Sequence, residues 1–389
     1  MRDQQPVWQD GHGVWHVFRH EDVQRVLSDP ALFSSDPRLV MPDWEGFARG
    51  NLVSMDPPDH RRLRKLVSQV FTPRMVAGLE PRIVELCGEL LDDVGDELEL
   101  VSGFACPLPM TVIADLLGVP HTDRDLFRTW ADRLLSVQVP NPADPSAAQL
   151  VQETIKDLNE YLLEHCRDRR AHERDDLIGK LVATEVARER LDDEEVVNFA
   201  RLLLLAGHVT TTMLLGNALL CLDENPGAAE ELRADRTLVP HALEEVVRLR
   251  PPFIERNRVA TAPVELSGVT IPELSIVSVS LFSANHDERV FTEPERFDIH
   301  REQNPHVGYG KGIHFCLGAP LARLEGKLAL EQMFDRFKEI RVSDAVEFHE
   351  HGFSGVTKLP LAVQRGAVSR GESTTGLTWD PREGSHRAR

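Results

Sequence analysis

Cysteine is scarce in this chain of 389 residues: Cys87, Cys106, Cys166, Cys221 and Cys316 are all it has, and no two fall in a CxxC or other close pair. That spacing argues against a disulfide framework or a zinc site and fits reduced intracellular thiols. Positive charge is also in deficit. Lys and Arg total 44 against 63 Asp and Glu, a net charge of −19 that repels polyphosphate and argues against nucleic acid as the main partner. The segment Met1 to Asp10 is polar and lacks the apolar stretch of a signal peptide or anchor. The one long apolar segment, Val196 to Leu222, is interrupted by Asn198, Arg201, His208 and Asn217, which makes a bilayer span expensive. We therefore expect a cytoplasmic protein with no membrane span. There is no internal repeat and no Gly/Ser-rich linker. Residues 1–365 read as a single domain and 366–389 as a polar, disordered tail.

The pattern that is present is mainly α with a small β-rich portion. Val14 to Val17 suits a strand behind a turn at Gly11–Gly13, and Glu21 to Leu27 starts a helix. After the irregular stretch Ser34 to Asn51 and the sequence Asp56-Pro57-Pro58, helical segments run to Arg250, punctuated at Thr72-Pro73, Gly118-Val119-Pro120 and Pro140-Asn141-Pro142. The longest runs from an Asp192 cap, with Glu195 at the capping-box position, to about Leu222, and would cross the whole molecule. Val259 to Ser280 reads as short strands, Phe282 to Gly312 as mostly irregular, Gly318 to Phe337 as a helix, and strand-like runs close near Val363.

Chemistry concentrates in Tyr309-Gly310-Lys311-Gly312-Ile313-His314-Phe315-Cys316-Leu317-Gly318. A lone cysteine is ordinarily a small buried core residue. Here it stands at the start of a helix, where unpaired N–H groups and the dipole favour a thiolate able to bind metal. Gly310, Gly312 and Gly318 permit positive φ and bare backbone, which would let the loop lie against a large planar ligand. Glu245 and Arg248, three apart, share a helix face, as do His60 and Arg64, four apart. Taken alone, the first is an ordinary surface ion pair, and beside the second Arg61, Arg62 and Lys65 read as a basic solvated helix face. Within the long helix, Gly207 costs about 1 kcal/mol relative to alanine and Thr210 can turn its hydroxyl to the Ala206 carbonyl, which marks a place for a local opening.

The cysteine loop resembles the haem loop of the cytochrome P450 family, Phe-Gly-x-Gly-x-His/Arg-x-Cys-x-Gly, with Tyr309 in place of the phenylalanine. The resemblance extends from Val14 to Val363, and the family carries more sequence ahead of its first hairpin. It implies a P450-like fold with haem b between the long helix and the cysteine-loop helix. Cys316 would be the axial thiolate, with Tyr309, Gly310 and Gly318 in the loop and His60, Arg64, Arg258 and His314 on the propionates. Ala206-Gly207-His208-Val209-Thr210 is similar to the oxygen-activation motif, with Val209 where an acid is usual. Glu245 and Arg248 would join Arg296 of Pro294-Glu295-Arg296-Phe297 in bracing the fold. Substrate-facing positions would be Leu205, Val209, Phe253, Ile254 and Phe353, with the Ser34–Asn51 stretch and the Val137–Pro145 loop. Their apolar content points to a lipophilic substrate.

The implied activity is monooxygenation with O2, using electrons from NAD(P)H through ferredoxin reductase and ferredoxin. The ferredoxin would dock near Arg61, Arg62, Lys65, Lys311, Arg323 and Lys327. The missing acid leaves a peroxygenase or atypical oxidase open, and a non-catalytic haem sensor is the reading from another class. Val209 has no proton to give, so proton delivery through Thr210 would draw on water or a substrate hydroxyl. His208 should face away from Val209, since successive helix residues point about 100° apart.

Overall fold

The computed structural model describes residues 1–42, 50–136, 145–186, 188–349 and 352–366. Residues 43–49 of the Ser34–Asn51 stretch, 137–144 of the Val137–Pro145 loop, and 367–389 of the expected tail lie outside the described residues.

Six helices position the site: α1 (His20–Ser28), α2 (Asp59–Val70), α3 (Pro107–Leu117), α4 (Asp193–Glu224), α5 (Val239–Leu249) and α6 (Ala319–Arg336). The capping box expected at Asp192 forms: its carboxylate accepts from the Glu195 N–H at 2.9 Å, and the Glu195 carboxylate accepts from the Asp192 N–H at 3.1 Å. From that start α4 runs 32 residues, roughly 48 Å, two residues past the expected end. It is apolar on every face because other helices surround it. Among the described residues α4 is also the one helix long and apolar enough to cross a bilayer, but 72% of its most apolar window is buried inside the protein.

Five short strands form the main sheet: β1 (Val7–Gln9), β2 (Trp15–Val17), β3 (Phe33–Ser34), β4 (Glu255–Ala260) and β5 (Ile276–Ser280), in the order β1-β2-β5-β4-β3. β5 lies parallel to β2 and antiparallel to β4. A second sheet joins Phe337–Val342, Pro360–Arg365 and Glu97–Glu99. The larger apolar cluster gathers the helices around α4, and a smaller one fills the space between α1 and the main sheet. β4 starts four residues earlier than Val259, at Glu255, where polar side chains hide the strand from a search for β-branched residues.

Candidate active site

Cys316 sits three residues ahead of α6, after a 3-10 turn at Gly312–His314. Its N–H donates to the Tyr309 carbonyl at 2.9 Å and closes the loop. Gly310 and Gly312 hold φ of 72° and 68°, the left-handed region that L side chains avoid. A Cβ on Gly312 would also stand 2.7 Å from the Leu27 carbonyl of α1. Gly318 departs from expectation. Its φ is −80°, ordinary helical backbone, because it serves as the N-cap of α6.

What Gly318 supplies instead is its N–H, which with that of Ala319 is aimed at the Cys316 sulfur. The protein around Cys316 displaces enough water to push its thiol up although its side chain stays accessible, while those two amides and the charges of Arg64 and Arg256 favour the thiolate. Cys316 is also the one exposed cysteine; the other four are buried. That exposure argues against an inert core residue. Tyr309 packs under the Arg323 guanidinium at 4.6 Å, with its hydroxyl buried and unpartnered.

The loop and three distant segments meet around one space. The His60 ring on α2 lies 4.4 Å from the His314 ring, and Arg64, one turn along α2, donates to the Phe315 carbonyl at 2.9 Å. Arg258 on β4 is buried and bonds only to the Asn257 carbonyl, at 2.8 Å. His314 shares a 2.9 Å hydrogen bond with the Ser35 hydroxyl. Burial, then the charges of Arg258 and the neighbouring groups, pushes His314 down to about 3. Burial and Arg64 lower His60, whose Nε2 is buried without a partner. The adjacent acid, Asp56, already accepts from the Ser34 hydroxyl and the Ser35 N–H.

Among the described residues no carboxylate lies within ion-pair distance of Arg64 or Arg258, although the Asp56 charge favours the charged form of Arg258. Two permanent cations and two imidazoles gathered together, with Asp56 the one carboxylate acting on them among the described residues, are a cluster suited to a pair of partly buried carboxylates. The residues therefore fit a haem: Cys316 would hold its iron as a thiolate, and His60, Arg64, Arg258 and His314 would hold its propionates.

On α4, Thr210 donates its hydroxyl to the Ala206 carbonyl at 2.7 Å, as expected. No opening accompanies it. The helix is continuous, and a Cβ on Gly207 would stand 2.9 Å from the Ile113 side chain, so this glycine admits α3 rather than breaking α4. Ala206 is exposed and Thr210 half-buried, one turn apart, whereas Leu205 is half-buried and Val209 buried. The accessible stripe thus passes through Ala206 and Thr210 rather than Val209. His208 faces α3, its Nε2 3.1 Å from the buried Cys106 sulfur. The Phe253 and Phe353 rings pack tilted with centroids 4.9 Å apart, and Ile254 and Phe353 border an open cavity of about 370 Å³ with Phe282, Phe348 and His349.

The brace differs from expectation in one member. Glu245 and Arg248 on α5 are fully buried and form a two-pronged pair at 2.8 Å, and Arg248 also donates to the carbonyls of Asn285, Pro294 and Arg296. The Arg296 guanidinium instead turns outward to Glu293. Arg301 takes the place expected for it, donating to both Glu245 oxygens at 3.1 Å. Arg296 contributes its backbone oxygen, because the turn at Pro294–Arg296 points that carbonyl inward and the side chain to solvent.

Of the six basic residues expected at a docking face, Arg62 is paired with Glu195, Arg323 with Glu244 and Lys327 with Glu331. Arg61, Lys65 and Lys311 are exposed and have no such partner among the described residues. Sequence reasoning missed Ser35, Arg256 and Arg301, which carry no motif of their own. It also missed Glu325 on α6, a fully buried carboxyl with neither oxygen bonded, which burial pushes up to about 8.

The family model "Cytochrome P450" matches residues 6–362. Erythromycin C-12 hydroxylase of Saccharopolyspora erythraea is 47% identical over 93% of this chain and 92% of its own length. Cyclomarin C epoxidase CymV of Salinispora arenicola is 46% identical over 93% and 94%. The open form of cytochrome P450 EryK from S. erythraea superposes with a TM-score of 0.90 at 44% identity, covering 96% of this chain and 95% of that one. A shared fold, near-complete coverage and a thiol loop beside a cation cluster place this chain in the cytochrome P450 family, as a P450 monooxygenase.

Proposed function

We propose that the enzyme inserts one oxygen atom from O2 into a lipophilic small molecule of secondary metabolism, by hydroxylation or epoxidation, in the cytoplasm. Electrons come from NAD(P)H through ferredoxin reductase and ferredoxin. The observation that carries this reading is the exposed Cys316 loop meeting His60, Arg64, Arg258 and His314 around one space. The two relatives named as a hydroxylase and an epoxidase support the reaction class. Bound haem with a thiolate ligand supplies the activation of dioxygen and cleavage of its O–O bond.

The protein's own part is to hold and to deliver protons. Cys316 provides the ligand, with the amides of Gly318 and Ala319 favouring its charged form. His60, Arg64, Arg258 and His314 anchor the propionates, and Glu245, Arg248 and Arg301 fix the segments behind them. Thr210 relays protons from its place on the accessible stripe of α4. Its hydroxyl needs a further donor, and Val209 offers none, so an ordered water or a substrate hydroxyl supplies the proton.

Val209 also favours one second reading, turnover driven by peroxide. Reconstitution with NADPH, ferredoxin reductase, ferredoxin and isotopically labelled dioxygen separates the two. One labelled oxygen atom per product molecule is expected; product formed with peroxide but never with reduced ferredoxin would transfer the assignment to a peroxygenase.

A further inference from the structure

Arg256 is the cation that the propionate account leaves over. It lies two residues before Arg258 on β4, and residues i and i+2 of a strand share a face about 7 Å apart. It therefore continues the Arg258 side of the sheet toward Phe253 and Ile254, the end expected to face substrate. Its guanidinium lies 3.3 Å from the centroid of the Phe253 ring, which in turn packs tilted against Phe353 at 4.9 Å. It is close enough to Cys316 for each to favour the other's charged form. Its one hydrogen bond is a long one, 3.4 Å, to the carbonyl of Glu255. The neighbouring Glu255 carboxylate accepts from the Ser278 hydroxyl at 2.8 Å, and its charge favours the charged form of Arg256 without a hydrogen bond between the two side chains. Burial, then repulsion from Arg258, lowers Arg256 to about 10, which still leaves it charged at neutral pH.

Among the described residues no carboxylate accepts a hydrogen bond from Arg256, although the Glu255 charge is near enough to favour its charged form. Arg64 and Arg258 alone match the two propionates of a haem, and the charge of a ferric porphyrin core is cancelled by its thiolate. Arg256 remains a half-buried guanidinium set over an aromatic ring, with no carboxylate among the described residues in hydrogen-bond contact with it. A planar fork of donors in low dielectric selects a carboxylate.

We propose that Arg256 is a specificity residue that recognises a carboxylate on the substrate, so that the lipophilic substrate of this enzyme is an acid. The proposal rests on the monooxygenase reading above and narrows it.

The test uses the haem-loaded enzyme with dodecanoate and methyl dodecanoate as a matched pair, their dissociation constants measured by calorimetry. Wild type should bind the acid more tightly than the ester. Arg256→Gln should weaken dodecanoate about ten- to a hundredfold, the range for losing a charged hydrogen-bond partner, and shift methyl dodecanoate by less than about twofold. Arg256→Lys, which keeps the charge but loses the fork, should recover part of the preference. Haem content per chain and far-UV circular dichroism should be unchanged in both variants. Three results would overturn the assignment: equal affinity of wild type for acid and ester, no binding of either, or loss of haem in Arg256→Gln with the acid-to-ester ratio intact. The last would make Arg256 a third propionate partner. Failure of the monooxygenase reading has a different signature, the absence of a thiolate-type carbon-monoxide band in wild type.

Discussion

Replacing Arg301 and Arg296 separately by glutamine distinguishes two ways of bracing the same fold. Glu245 is completely buried and accepts from Arg248, Arg301, the Asp298 N–H and Asn304. Breaking a buried ion pair by removing one partner costs about 3–5 kcal/mol, chiefly because the other charge is left uncompensated. In Arg301→Gln the Arg248 guanidinium stays on Glu245, so the loss is smaller, about 2–3 kcal/mol. The Thr292 carbonyl also loses its 2.9 Å donor. Arg296 is 62% exposed and its partner Glu293 66%, so Arg296→Gln should stay within about 0.5 kcal/mol of wild type, its inward carbonyl being untouched. Against a total stability of about 5–15 kcal/mol the contrast is large. Urea unfolding of the haem-loaded variants, followed by far-UV circular dichroism, should give a lower midpoint for Arg301→Gln, by roughly 1 M, and no resolvable change for Arg296→Gln. Equal midpoints, or a greater loss in Arg296→Gln, would refute the assignment of Arg301.

Three further outcomes follow from the site and the core. Thr210→Val removes the hydroxyl from the accessible stripe of α4 and should lower product formed per NAD(P)H consumed about tenfold, with peroxide released in its place; unchanged coupling would deny this threonine a role in proton delivery. Glu325 ionises near 4.5 when unfolded but only near 8 when folded, so the unfolded state releases its proton first and stability drains between those values as pH rises. At pH 7 that amounts to as much as about 3 kcal/mol; Glu325→Gln should flatten the pH dependence and stabilise the protein at pH 7, and an unaltered slope in denaturant titrations from pH 5 to 8 would contradict it. Electron transfer from ferredoxin should slow with salt and with combined charge reversal at Arg61, Lys65 and Lys311, the three basic residues of that face with no carboxylate partner among the described residues; indifference to both in stopped-flow reduction would exclude this docking face.

How much of this was legible in the sequence depended on whether a local pattern carried it. The cap of α4 was readable because a capping box is a four-residue signal, and the cysteine loop because its glycines sit where positive φ is needed, at Gly310 and Gly312. Gly318 looked the same in sequence and proved to be an ordinary N-cap, since spacing alone does not separate a need for positive φ from a need for an N–H. Arg301 escaped because the choice between it and Arg296 is made by the direction of a turn, which has no sequence signature here. Glu97–Glu99 was missed as a strand of three residues whose register is set by Pro360–Ala362, more than 250 positions away. Glu255–Arg258 hid the start of a strand because both of its faces carry polar side chains there, so the usual alternation of apolar and polar residues is absent.

The measurement that tests the central claim most directly is the spectrum of the reduced carbon-monoxide complex in wild type and in Cys316→Ala. Wild type should show the red-shifted band of a thiolate-ligated haem. Cys316→Ala should lack it, along with monooxygenation, while variants of Cys87, Cys106, Cys166 and Cys221 retain it. A thiolate band that survives in Cys316→Ala would contradict the account.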